Sequence, residues 1–166
     1  MADIFFDVKK HSDHQKFLKG MELLYFAYRD FISWPDDVLH TLGFGRAHHR
    51  VLHFVGRNPG LKVAELLKLL NITKQSLSRV LGTLVEKGHI RQDIGDQDRR
   101  QRLLHLTKQG EFLLNKIAEH QKEHMLKAFK NAGNHSVEGF WKVLSALIAD
   151  ENRVEILSQV SRDMGK

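Results

Sequence analysis

The chain has 166 residues, a formal net charge of +6, 42% hydrophobic residues and no cysteine. That is enough length for one domain with a real core, and it excludes disulfide frameworks, thiolate metal sites and cysteine nucleophiles. No apolar run approaches the roughly 18 to 20 residues that span a bilayer, and the start MADIFFDVKKHSDH lacks a basic segment followed by an apolar one, so a soluble, unexported, cytoplasmic protein without a membrane partner is expected.

The first helix is predicted from Asp13 to Ile32, where Phe17, Leu18, Met21, Leu24, Tyr25, Tyr28 and Ile32 recur at three- and four-residue steps. Trp34-Pro35 is expected to end it, because the residue before proline disfavours the helical region. A short helical turn over Asp36 to Leu42, closed by Gly43, is followed by a helix from Arg46 to Gly56 that Asn58-Pro59-Gly60 stops. Next, Val63 to Leu70 and Lys74 to Lys87 read as two helices joined by the short turn Asn71-Ile72, with Thr73 as cap of the second and Gly88 at its end. Such a pair is the supersecondary unit whose second member can enter a major groove. Ile90 and Ile94, then Leu104 and Leu106, alternate with polar residues and predict a two-stranded hairpin across Asp96 to Gln101. Helices over Lys108 to Lys130 and Ser136 to Ser161, separated by Asn131-Ala132-Gly133-Asn134, complete the chain.

Charge is concentrated where that helix pair and hairpin lie. Residues 46–110 hold 13 Lys and Arg against 5 Asp and Glu, leaving 13 against 15 for the flanks. A basic patch of that size attracts polyanions, although an ordinary basic surface has the same composition. On the second helix of the pair, Leu77, Val80, Leu81, Leu84 and Val85 fall on one side at 100° per residue. Gln75, Arg79, Gly82, Thr83 and Glu86 lie opposite, with Ser76 and Ser78 on the flanks. That outward face suits base edges: Arg79 for guanine, Gln75 for adenine, the hydroxyls for bases or phosphate. Lys74, at the positive end of the helix dipole, suits phosphate. A solvated helix face reads the same way taken alone. In the hairpin loop, Arg99, Arg100 and Arg102 are long enough to reach a minor groove, and Asp98 is placed to hold one guanidinium through paired hydrogen bonds.

The order of these parts, VAELLKLLNITKQSLSRVLGTLVEKGHI followed by DQDRRQRLLHLTKQG, resembles the MarR family of bacterial winged-helix transcription regulators. Asp98-Arg99-Arg100, Leu104, Leu106-Thr107 and Gly110 look like its wing signature. The resemblance implies a mainly α fold with a small β-hairpin wing: a winged helix-turn-helix lobe over residues 46–110, with dimerisation helices over 1–45 and 111–166. It also implies a homodimer reading a pseudo-palindromic operator in double-stranded DNA as a repressor. Thr73, Lys74, Gln75, Ser76, Ser78 and Arg79 are then the major-groove residues, and Asp98, Arg99, Arg100 and Arg102 the wing. The flanking helices agree, since Phe17, Leu24, Tyr28, Ile117, Met125, Phe140, Trp141, Leu144 and Ile148 offer more apolar surface than so small a lobe can cover; an intramolecular bundle is the alternative.

Family members commonly release DNA when a small aromatic acid or another ligand binds between the dimer helices and the winged lobe. Tyr25, Tyr28, Trp34, Phe44, His48 and His49 are available to line such a pocket, and each also reads as core. Release by cysteine oxidation is closed to this chain. His49 with His53, and His120 with His124 beside Glu119 and Glu123, have the one-turn spacing of a chelating pair, so a zinc-responsive regulator of the same fold stays open as an alternative. No phosphate-cradling glycine loop or metal-plus-base motif marks an enzyme, and no cofactor is expected. A winged-helix protein-interaction module would need an apolar outward face on the second helix, where Gln75, Ser78 and Arg79 stand instead.

Overall fold

Ser12 starts the first helix by a reciprocal cap: its hydroxyl accepts from the Gln15 N–H at 3.3 Å, and the Gln15 side chain accepts from the Ser12 N–H at 2.9 Å. In the computed structural model, which describes residues 9, 11–95, 98 and 100–161, this helix, α1, runs without a break over Asp13–His40. The expected stop at Trp34-Pro35 is therefore corrected. Pro35 lies inside α1, and Ile32, Pro35 and Leu39 are all buried on one of its faces. Burying three apolar side chains offsets the roughly 3 kcal/mol that an interior proline costs a helix.

The remaining elements are α2 (Arg46–Arg57), β1 (Leu61–Lys62), α3 (Val63–Leu70), α4 (Lys74–Glu86), β2 (Ile90–Ile94), β3 (Arg102–Leu106), α5 (Lys108–Ala132), α6 (Asn134–Leu147) and α7 (Asp150–Ser161). The chain divides between His120 and Gln121 into two compact units, with α5 contributing to both. In the first unit the strands form an antiparallel sheet in the order β1-β3-β2, pairing Leu61 with Leu104, Gln92 with Leu104, and Ile90 with Leu106. The expected two-stranded hairpin thus gains a third strand of two residues, too short to show any alternation in the sequence. Its core gathers Leu39, Phe44, Val51, Leu52, Val55, Leu66, Leu77, Leu84, Ile90 and Leu104. Ile117, expected among the spare apolar surface of the flanking helices, is instead fully buried in the same core and packs the lobe.

In the second unit Phe129 meets Phe140 and Trp141 edge-on, at 6.0 and 6.3 Å between ring centres. The single helix expected over Ser136 to Ser161 is two, α6 and α7, because Ile148 takes an extended conformation (ψ 132°). Arg153 stabilises the break: its guanidinium donates to the Ala146 carbonyl at 2.9 Å and the Ile148 carbonyl at 2.7 Å, placing a cation on the last carbonyls of α6. Among the described residues no helix is long and apolar enough to cross a membrane.

Candidate nucleic-acid interface

The α3–α4 pair is built by local signals. Asn71 ends α3 in the left-handed region (φ 48°) that asparagine tolerates. Thr73 then caps α4, its hydroxyl accepting from the Ser76 N–H at 3.2 Å and donating to the Ser76 hydroxyl at 3.0 Å. At the other end Gly88 takes φ +71°, and the His89 N–H reaches back to the Leu84 carbonyl at 2.8 Å, which closes the helix in a Schellman turn. Leu77, Val80, Leu81 and Leu84 face the core, whereas Val85 is 37% exposed and does not join them.

The outward face is polar. Lys74, Gln75, Ser78 and Arg79 are exposed, and among the described residues no hydrogen bond or ion pair engages their side chains. Thr73 and Ser76 are committed to the cap, although the Ser76 hydroxyl proton stays available. The first turn of α4 carries no acidic residue and has a lysine instead, against the helix dipole; this charge is favourable only with an anion in front of it. Gly82 is exposed, and a Cβ there would meet nothing within 4 Å. Its helix penalty of about 1 kcal/mol therefore has no packing reason inside the lobe.

The wing loop is shaped by Asp98. Its carboxylate accepts from the Arg100 N–H at 2.9 Å and from the Gln101 side-chain amide at 3.4 Å, while its carbonyl accepts from the Gln101 N–H at 2.9 Å. Among the described residues it orders the turn backbone; the expected guanidinium clamp is not what these bonds form. Arg100 and Arg102 are exposed, Arg102 donating to the Gln101 carbonyl at 3.3 Å, and Arg99 lies outside the described residues.

Thr107 and Gly110, read in the sequence only as parts of a signature, join the wing to α4. The Thr107 hydroxyl donates to the Gly88 carbonyl at 2.6 Å and accepts from the Gly110 N–H at 3.2 Å, and the Thr107 N–H donates to the His89 carbonyl at 3.1 Å. Gly110 packs so tightly on His89 that a Cβ would collide with its carbonyl oxygen. The end of α4, the start of β2 and the start of α5 are thereby one joint.

The residues expected to line a ligand pocket are spread over α1, α2 and the turn between them. Tyr25 and Tyr28 are more than half exposed on α1, Trp34 stacks on His120 at 4.1 Å, and Phe44 is buried. A cleft of about 380 Å³ beside α4 is lined by Gly43, Gly45, Arg46, Ala47, His48, Arg79, Val80 and Thr83, and so includes His48 but none of Tyr25, Tyr28, Trp34, Phe44 or His49. His48 stacks on Phe44 at 5.0 Å and accepts from the Gly45 N–H through Nδ1 at 3.0 Å. Burial holds its imidazole below the ordinary value, and the nearby charges of Lys87 and Arg79 push the same way. Burial also lowers His49 and His89. Groups kept neutral in the fold bind protons more readily when unfolded, so stability present above about pH 6.5 is lost as pH falls below it. Urea midpoints should drop between pH 7 and 5.5, and His48→Asn, which keeps an acceptor for the Gly45 N–H, should make that drop shallower; an unchanged pH dependence would remove His48 from the titrating set. Among the described residues no three His, Asp or Glu side chains gather where a metal ion could be shared, so the histidine pairs find no third ligand there.

The sequence model of the MarR family matches residues 42–101, which hold the helix pair and most of the wing. The HTH-type transcriptional regulator PetP of Rhodobacter capsulatus is 45% identical over 130 residues, 78% of each chain. The chain belongs to the MarR family. A MarR-family chain is a transcriptional regulator and not an enzyme. Among solved structures, Streptococcus pneumoniae FabT in complex with DNA superposes with a TM-score of 0.72 at 21% identity, covering 85% of this chain and 99% of FabT. MarR itself superposes at 0.61 with 25% identity, covering 90% and 99%. The winged helix-turn-helix fold of this MarR-family lobe is therefore shown, with the three-stranded sheet as its wing.

Proposed function

We propose that this MarR-family regulator binds a pseudo-palindromic operator in double-stranded DNA as a homodimer, with α4 in the major groove and the β2–β3 loop over the minor groove, and represses by occluding a promoter. The observation that carries the reading is the outward face of α4: Lys74, Gln75, Ser78 and Arg79 are exposed, and among the described residues no hydrogen bond or ion pair engages their side chains, on a helix whose first turn invites an anion. Arg79 and Gln75 are the base readers; Lys74, Ser76 and Thr73 sit toward the phosphates. Asp98 shapes the loop that presents Arg99, Arg100 and Arg102. FabT, whose fold this chain shares, was solved in complex with DNA, which supports the assignment. A dimer is supported by α1, where Phe17, Met21, Leu24, Tyr25 and Tyr28 are about half exposed, a larger apolar stripe than a solvated helix keeps. Release by a small aromatic acid is supported by the cleft that Arg46, His48 and Arg79 share, since a carboxylate there would engage the same arginine as the DNA.

Selection of sites from random duplexes tests this reading. Two inverted half-sites about one helical turn apart are expected; recovery of no enriched sequence at low ionic strength would end it. On the selected site, Arg100→Ala should reduce the slope of log Kd against log salt by about one, because one phosphate contact fewer releases fewer counterions. An unchanged slope would take the wing off the DNA.

A further inference from the structure

Lys87 closes α4, yet its side chain serves another helix. α1 ends in a Schellman turn: Gly43 takes φ +69°, the Phe44 N–H donates to the Leu39 carbonyl at 2.9 Å, and the Gly43 N–H donates to the His40 carbonyl at 3.0 Å. The Leu42 carbonyl is left pointing out of that turn. The Lys87 ammonium takes it at 2.6 Å, and lies 5.1 Å from the centre of the Phe44 ring. One cation thus meets the negative ends of two helix dipoles, its own and that of α1, and the face of an aromatic ring. Phe44 is itself wedged, with His48 from the first turn of α2 stacked on it at 5.0 Å and His89 from the α4–β2 turn edge-on at 5.0 Å.

We propose that Lys87 is a positioning residue for DNA recognition: through Leu42 and Phe44 it latches the C-terminal end of α4 to that of α1 and so sets the angle at which α4 is offered. The inference rests on the DNA-binding reading above. If α1 carries the dimer contact, the angle between α1 and α4 in each protomer decides how far apart two copies of α4 stand, and so which half-site spacing they fit. Lys87 is at the inner end of α4, thirteen residues from Lys74 and away from the outward face, which is why its contribution reaches DNA through orientation and not through a phosphate.

The test compares Lys87→Met and Lys87→Arg with the unaltered full chain on the selected operator and on operators with one base pair inserted or removed at the centre. Lys87→Met should bind the operator about tenfold more weakly, a typical size for coupling between elements. It should lose less on the altered spacings, because a freed α4 tolerates them, and its salt slope should be unchanged; Lys87→Arg, which keeps a charged donor and a ring contact, should recover most of the affinity. A slope reduced by about one would make Lys87 a phosphate contact and overturn the proposal. So would unchanged affinity, or a loss uniform over all spacings that Lys87→Arg does not recover. Failure of the unaltered chain to bind any duplex would instead dismiss the DNA-binding reading itself.

Discussion

Gly110→Ala is expected to destabilise the protein by about 3 kcal/mol or more, lowering the melting temperature by about 10 °C. Its added methyl would meet the His89 carbonyl oxygen and carbon and the Leu106 side chain together. None of the three can yield cheaply. The His89 carbonyl accepts the Thr107 N–H, the adjacent Gly88 carbonyl accepts the Thr107 hydroxyl, and Leu106 is paired in the sheet with Ile90. Relief therefore means pulling α5 away from the end of α4. Thermal and urea unfolding of the variant check this, with Gly82→Ala as the contrast, since open space surrounds that position and alanine there should stabilise by about 0.4 to 1 kcal/mol. Equal stability of Gly110→Ala and the unaltered chain would mean that the joint has slack the geometry does not suggest.

Arg79→Ala should cost about 1 to 3 kcal/mol of binding on the selected operator and relax the base preference at one position of each half-site. The fold should be indifferent to it, because among the described residues no hydrogen bond or ion pair engages that guanidinium and its Cβ lies on the outward face. The measurement is competition binding against operators permuted one base at a time, beside a melting curve. Weakening by the same factor on every permutation would reassign Arg79 to phosphate; no weakening would exclude α4 as the reading helix.

The lobe was legible in the sequence because its signals are local. Thr73 and Asn71 act on their own turns, Gly43 and Gly88 end helices by taking the left-handed region, and the apolar spacing of Leu77, Val80, Leu81 and Leu84 needs only helical geometry. The exposed side chains of α4 were equally legible, since a polar residue at 180° from a buried one is exposed wherever the helix packs. The wing residues could be named too, but not that Asp98 takes the Arg100 N–H and the Gln101 amide, because which donors a carboxylate meets is set by how the loop folds. Thr107 and Gly110 were visible as letters without a role. The contact of Lys87 with Leu42 and Phe44 left no trace, since it joins residues up to 45 apart.

Composition and periodicity on their own thus determined the helix pair followed by a hairpin, the basic middle and the polar edge of α4, all of which depend on neighbours within one or two turns. Tertiary structure alone decided that α1 passes through Pro35, that β1 adds to the wing, that α6 and α7 part at Ile148, and that Ile117 belongs to the lobe's core. In each case a local preference worth a few kcal/mol at most competes with burial or capping supplied from elsewhere in the chain, and that stronger, distant influence is invisible until the chain has folded back on itself.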